Sequence, residues 1–134
     1  MAAASQRSDG FPKPVAAVAG LMFLTLGVWA MANPSSFYES IALFDPYNPH
    51  FIQNLGAFQI GLGATLALAA FFTSDALAAG LVGVGLGATA HVVSHLMSLD
   101  TGGKPLLDVS GGILLALLLL VAGVVRWRTV GPHH

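Results

Sequence analysis

The chain has 134 residues and a formal net charge of −1; 55% of its residues are hydrophobic and only 8% are charged. A soluble domain is about one-quarter charged, so this composition excludes a soluble globular surface, gives no basic footprint for nucleic acid, and leaves the lipid bilayer as the partner that would solvate the chain. There is no cysteine. Disulfides, thiolate metal ligands and thiol redox chemistry are therefore excluded within this chain, and a thiol oxidoreductase role would need a partner's cysteines.

Residues 1–14 read as a tail. Val15 to Ala32 follows as 18 residues without a charge, within the roughly 17 to 25 apolar residues that a spanning helix needs. Arg7 and Lys13 before it, and Ala30-Met31-Ala32 at its end, also fit a cleavable signal peptide; the reading adopted is a retained helix. Asn33-Pro34 predicts an N-cap with proline at the first helical position. Phe37, Tyr38, Ile41 and Phe44 then recur at i, i+1, i+4 and i+7, which predicts a short amphipathic helix on the outer surface. Asp45-Pro46-Tyr47-Asn48-Pro49-His50 is expected to leave it as a turn, because two prolines oppose a regular helix.

A second apolar run spans Ile52 to Phe72, 21 residues broken by Gln53, Asn54 and Gln59. The three-residue link Thr73-Ser74-Asp75 forces an antiparallel hairpin with the third run, Ala76 to Met97, 22 residues broken by His91 and His95. Ser98 to Leu107, with Gly102-Gly103, reads as a flexible loop. The fourth run, Val109 to Val125, has 17 residues. Long runs rich in Ala, Leu and Gly without period-2 alternation exclude strands. The expected fold is all-α: a four-helix membrane bundle over residues 15–127, with helices near 15–32, 52–72, 76–97 and 109–125, and a tail at 128–134. His133 and His134 resemble a purification tag and are set aside.

Four crossings place both termini on one side. Arg7, Lys13, Arg126 and Arg128 lie on that side and only Lys104 on the other, so the positive-inside rule predicts a cell-membrane protein with both termini cytoplasmic. Trp29 and Trp127 then fall near the outer and inner interfaces.

This topology carries His50, His91, His95 and Asp108 to the outer half, together with Glu39, Asp45 and Asp100. His91 and His95 are four apart and share a face with Gly87 and Gly83; Asp108 shares one with Gly112 and Ala116, and Gln59 with Gly56 and Gly63. Small faces are where membrane helices approach one another, so these polar groups are expected to face inward. Intramembrane ionisable groups default to function. A His-x-x-x-His pair completed by Asp108 or His50 is a candidate site for a divalent metal. His50, Gln59 and His91 are the candidate cofactor-binding residues, for haem through an imidazole ligand or for a quinone-like molecule through a His91–Asp108 proton-transfer pair. The competing reading is structural: a hydrogen-bonded cluster, with Asp108 capping the fourth helix, in an accessory subunit that packs onto a larger membrane complex or onto copies of itself. Gly61-Leu62-Gly63-Ala64-Thr65 recurs as Gly85-Leu86-Gly87-Ala88-Thr89. No lysine follows either copy, so neither is a phosphate loop.

Tyr47-Asn48-Pro49-His50-Phe51 leading into Gly56-Ala57-Phe58-Gln59-Ile60-Gly61-Leu62-Gly63, followed by the histidines of the third run and Asp108, resembles the DoxX-like group of small bacterial four-helix membrane proteins. The resemblance covers about Val15 to Trp127. It implies a four-span architecture, and some members of the group are linked to quinone or thiol redox complexes. It transfers no catalytic residue.

Overall fold

The computed structural model describes residues 12–43, 45–99 and 105–130; Arg7, Phe44, Asp100, Gly102, Gly103, Lys104 and the two C-terminal histidines lie outside them. Five α-helices and one π-helical turn follow in order: α1 (Pro12–Ala32), α2 (Pro34–Phe37), the π turn (Tyr38–Ala42), α3 (Pro49–Phe71), α4 (Ala76–Met97) and α5 (Pro105–Val130). No strand occurs among the described residues. Four of the helices are long and apolar enough to cross a membrane. The shortest of them, α1 with 21 residues, rises about 31 Å, matching a hydrocarbon core of about 30 Å.

Three of the long helices begin earlier than their apolar runs, and the reason is the same each time. Proline in a first turn loses no intrahelical bond, because the first N–H groups have no partner there. Hence α1 begins at Pro12, α3 at Pro49 rather than Ile52, and α5 at Pro105 rather than Val109. Only Pro46 interrupts the connecting segment. Asn48 caps α3 by accepting from the Phe51 N–H at 3.1 Å, as Asn33 caps α2 from the Ser36 N–H at 3.1 Å. His50 therefore lies in the first turn of α3, not in a loop. Asp108 lies inside the first turn of α5, so it is not that helix's N-cap. Its charge is still favoured at a helix N-terminus.

The connection after α1 is one α turn that widens into a π turn, closed by the Leu43 N–H on the Tyr38 carbonyl at 2.9 Å. The i→i+5 bond widens the last turn of this short helical segment; Phe44, the last residue of the expected amphipathic pattern, lies outside the described residues. Phe37 is buried at 2% exposure while Ile41 is 48% exposed. Leu43 ends the turn in the left-handed region at φ 45°. Phe37 packs with Ala30 and Ile52, covered by Leu26, Trp29 and Leu55, and meets the Trp29 ring edge-on at 5.5 Å. This aromatic plug fixes α2 across the ends of α1 and α3.

The long helices pack in chain order: α1 on α3, α3 on α4, α4 on α5. A closed bundle would also seat α1 against α5. Among the described residues no such seam forms, so the bundle is open on that side. Glycine makes each seam. A methyl group on Gly27 would stand 2.7 Å from the Gly56 carbonyl oxygen, and one on Gly63 would stand 2.7 Å from that of Gly20. Between α3 and α4, a methyl on Gly87 would stand 2.7 Å from the Gly61 Cα, and one on Gly83 2.6 Å from the Thr65 Cα. Between α4 and α5, Gly85 faces Leu120 and Gly123 faces Val82. All three pairings are antiparallel, so α1 begins and α5 ends at the same end of the array. That end also holds the 73–75 turn; the opposite end is the loop end.

The repeated Gly-Leu-Gly-Ala-Thr segments now have a structural use. Their two glycines are two residues apart, about 200° around a helix, and they face opposite neighbours. Gly61 faces α4 and Gly63 faces α1; Gly87 faces α3 and Gly85 faces α5. The closing threonines bond back to the carbonyls four residues earlier, Thr65 to Gly61 at 2.8 Å and Thr89 to Gly85 at 2.9 Å, so neither hydroxyl is left bare in apolar surroundings.

At the other end, Asp75 carries two duties. Its Oδ1 caps α4 by accepting from the Ala78 N–H at 2.7 Å, and its carboxylate accepts from Arg126 Nε at 3.2 Å and Nη2 at 2.8 Å, tying α5 to α4. The bidentate geometry orients both partners.

Two outcomes follow. Gly27→Ala forces a methyl into the α1–α3 seam and lowers the midpoint of thermal unfolding in detergent, at a cost of about 1 to 3 kcal/mol for overpacking. Gly111→Ala, with no atom within 4 Å, stays within about 0.5 kcal/mol of the parent. Asp75→Ala removes the cap, worth about 1 kcal/mol, as well as the ion pair. Asp75→Asn keeps a cap acceptor and loses only the pair, so it is the milder of the two in the same measurement.

Candidate functional site

The loop end gathers polar side chains on two different walls of α3. On the wall facing α4, the 3.6-residue period brings His50, Asn54, Ala57 and Gly61 into one stripe. On α4 the matching stripe is His95, His91, Gly87 and Gly83. Because glycine lets the backbones approach at the 61/87 level, the side chains one and two turns nearer the loop end meet across the seam.

Three imidazoles come together there. His91 Nε2 and His95 Nε2 are 3.1 Å apart, with the rings 4.6 Å between centroids and nearly perpendicular at 87°. The His50 ring meets His95 edge-on at 4.9 Å. All three are half-buried. Ser94, fully buried, donates to Asn54 Oδ1 at 2.5 Å and also lies 2.8 Å from the His91 carbonyl. With its oxygen engaged, Asn54 turns its amide nitrogen to His50 Nε2 at 3.1 Å. An amide nitrogen only donates, so His50 Nε2 accepts, and neutral His50 carries its proton on Nδ1. One level nearer the loop end, Ser98 donates to Gln53 Oε1 at 2.9 Å. The Nδ1 atoms of His50 and His91 are buried and have no partner among the described residues. His91 also lies 6.3 Å from the ring of Phe58, which is 70% exposed on the lipid-facing side.

Asp108 approaches from α5 closely enough for its charge to act on His91. The small face beneath it is turned to α4: Gly112 looks onto Val92, and Ala116 is buried. The expected convergence of His50, His91, His95 and Asp108 is thus met in part, by three imidazoles in ring contact and a carboxylate within electrostatic reach. The donor set of a three-ligand metal site is not assembled, since no group of three or more His, Asp or Glu side chains among the described residues is placed to hold one ion. For a haem, the geometry shows only that the Nε2 atoms of His91 and His95 are turned to each other at 3.1 Å, so in this arrangement neither is turned outward as an axial ligand.

Gln59 does not join the imidazoles. The small face that it shares with Gly56 and Gly63 is the one turned to α1. An inner helix has two such faces, and a small-residue stripe alone does not say which neighbour it meets. Gln59 instead lines a cavity of about 730 Å³ between α3 and the α2–π turn segment, walled by Phe37, Ile41, Phe51, Ile52 and Leu55; its Oε1 is buried and has no partner among the described residues. Tyr38, Asp45 and Asn48 edge the cavity at the loop end. Tyr38 donates to Asp45 Oδ1 at 2.5 Å, and the Tyr38 and Tyr47 rings lie 5.0 Å apart. Sequence reasoning missed this cavity. Its walls are ordinary apolar residues whose only signal was the run of aromatics from Phe37 to Phe51.

Comparison of the chain with family models, with curated proteins and with solved structures finds no match.

The Tyr38–Asp45 bond makes a pH prediction. Donation to the Asp45 carboxylate, helped by its negative charge, holds the Tyr38 hydroxyl above the ordinary phenol range. A raised value means that the bond's contribution is complete below the unfolded phenol's pKa and is lost as pH rises through the folded one. In a Tyr47→Phe background, alkaline titration followed by phenolate absorbance shows Tyr38 ionising late. Asp45→Asn returns it towards the ordinary value, and an unchanged titration would mean that the bond does not form.

Proposed function

We propose that this chain is a small multi-pass membrane protein that binds a quinone-like headgroup at the imidazole cluster of His50, His91 and His95, as a subunit of a larger membrane redox assembly. The observation that carries the reading is the His91–His95 pair itself. It is a hydrogen-bonded donor–acceptor couple whose further ring nitrogen on His91 has no partner among the described residues, beside the lipid-facing Phe58. A half-buried polar cluster on a helix seam is reached most directly by a ligand that travels in lipid. Imidazole suits such a headgroup because it donates to a carbonyl in one protonation state and accepts from a hydroxyl in the other. Asp108, in the first turn of α5, is the acidic side chain within electrostatic reach of His91. In this reading the redox partner of the assembly would supply the electrons, and His91 would pass only the proton.

The excess of Lys13, Arg126 and Arg128 at the end where α1 begins and α5 ends supports cytoplasmic termini in the cell membrane, which would place the cluster at the outer leaflet. The DoxX-like resemblance, with its quinone-linked members, points the same way.

A second reading has its own support. The Ser94–Asn54 and Ser98–Gln53 bonds join α3 to α4, and such contacts stabilise helix pairs by about 0.6 kcal/mol on average. On that reading the polar residues are a clamp inside a purely structural accessory subunit.

Titration of the purified protein in nanodiscs with a decyl-substituted benzoquinone separates the two. Saturable binding, weakened about tenfold in His91→Leu for one lost buried hydrogen bond while Gln53→Leu keeps it, supports the headgroup site. No saturable binding, with co-purification of a large membrane partner, supports the clamp. A stoichiometric metal that is lost in His91→Leu would overturn the quinone reading in favour of an ion.

A further inference from the structure

The three imidazoles differ in which nitrogen can take up a proton. The Nε2 atoms of His91 and His95 are 3.1 Å apart, so one carries a proton and the other accepts it. His91 Nδ1 is closed off from solvent with no partner among the described residues, whereas His95 Nδ1 is not closed off in this way. With His95 as the donor its Nδ1 is bare, and an incoming proton settles there. His95 becomes an imidazolium whose Nε2–H still donates to His91 Nε2, now as a charge-assisted bond. A second proton on this pair has only His91 Nε2 to go to. It would end the bond and set two N–H groups against each other across the same 3.1 Å.

His50 is closed to the proton for a different reason. Asn54 donates to its Nε2 at 3.1 Å, and Ser94 donates to Asn54 Oδ1 at 2.5 Å. A proton on His50 Nε2 would face the amide N–H unless the amide turned over. Turned over, Asn54 Nδ2 would stand 2.5 Å from Ser94 Oγ, shorter than the roughly 2.7 to 3.2 Å of an N–H···O bond. The short Ser94 bond thus latches the amide, and the amide fixes His50. The His50 ring also meets His95 edge-on at 4.9 Å, so positive charge on both is opposed.

Among the described residues, few other titratable groups surround the trio. α1 carries only Lys13, at the opposite end, and α2 carries none. The π turn brings Tyr38 and the exposed Glu39, with Tyr38 bonded to Asp45 at the cavity. α5 brings Asp108, within electrostatic reach of His91, while Arg126 and Arg128 lie at its far end. We infer that the imidazole trio is a one-proton store: it takes one excess proton, on His95, and excludes a second, with Asn54 and Ser94 as positioning residues that keep His50 neutral. Uptake of that proton raises the charge of the site by one and leaves the His91–His95, His50–Asn54 and Asn54–Ser94 bonds in place. The store goes beyond the headgroup reading and rests on the trio's own geometry.

The test counts protons on the rings by nitrogen-15 NMR. The chain is labelled at histidine in lipid nanodiscs with no quinone added. Its two C-terminal histidines are replaced (His133→Ala, His134→Ala), which leaves three of the five in the sequence. The pH is lowered from about 8.5 to about 5, across the ordinary imidazole range near 6.5, and His50→Gln and His95→Gln variants assign the signals. Expected is the loss of one bare-nitrogen signal, on His95, while Nε2 of His50 and of His91 stay bare. Asn54→Asp offers His50 Nε2 an acceptor in place of a donor, and the count rises from one to two, with the second proton on His50. Uptake of none, or of two or more, by the chain with Asn54 intact overturns the store. One proton held on His50 or His91 overturns the assignment to His95, and a count of one in Asn54→Asp overturns the role of Asn54. The first count needs no variant at Asn54, so a misfolded Asn54→Asp leaves it decisive. Because no quinone is present, a chain that fails to bind benzoquinone can still meet this test.

Discussion

Two glycines separated by one residue fix the arrangement of this protein. In lipid, helices gain no hydrophobic energy from meeting, because acyl chains are as apolar as leucine; association rests on close van der Waals contact and on hydrogen bonds between helices. A helix flanked on both sides must therefore offer a small residue on each side. The glycines of Gly61-Leu62-Gly63 and Gly85-Leu86-Gly87 lie on nearly opposite sides of α3 and α4, the two inner helices. The outer helices have one long-helix neighbour each, and their seam glycines fit that need: Gly20 and Gly27 are seven residues apart on one face of α1, and Gly123 with Gly112 turns α5 to α4. The order of the array is thus written in glycine spacing. The polar chemistry at the loop end is held where those contacts put it.

The four long helices were legible in the sequence because runs of 17 to 22 uncharged residues have few other uses. Their starts were less legible. Apolar runs end where polar residues begin, whereas helices end where hydrogen bonds do, and a proline in the first turn lets a helix begin several residues earlier. Asn48-Pro49 repeats the Asn33-Pro34 signal and would have placed the start of α3 correctly. The π turn was not legible, since no residue type marks an i→i+5 bond in advance.

At the candidate site, helical period and hairpin topology correctly joined His91 with His95 across one turn and His50 with them across the seam. They failed for Gln59, because the glycines beside it turn that face of α3 to α1 instead of α4. They also gave no hint of the Asp75–Arg126 pair, whose partners are 51 positions apart. Asp75 was legible as a hairpin residue and Arg126 as a topogenic charge, and each explanation seemed complete without the other. The Asn54–Ser94 bond was hidden for a different reason: both residue types are common in membrane helices, and only the register set by Gly61 and Gly87 makes them meet.

The seam between α1 and α5 stays open, and the array is consequently more like a palisade than a barrel. Such an assembly encloses little space of its own. A ligand bound along the long helices would be held in a furrow between adjacent posts, with acyl chains as the remaining wall. The bilayer is then route, competitor and part of the binding surface at once, so the chemistry of this chain would be expected to change with the lipid around it even when no side chain moves.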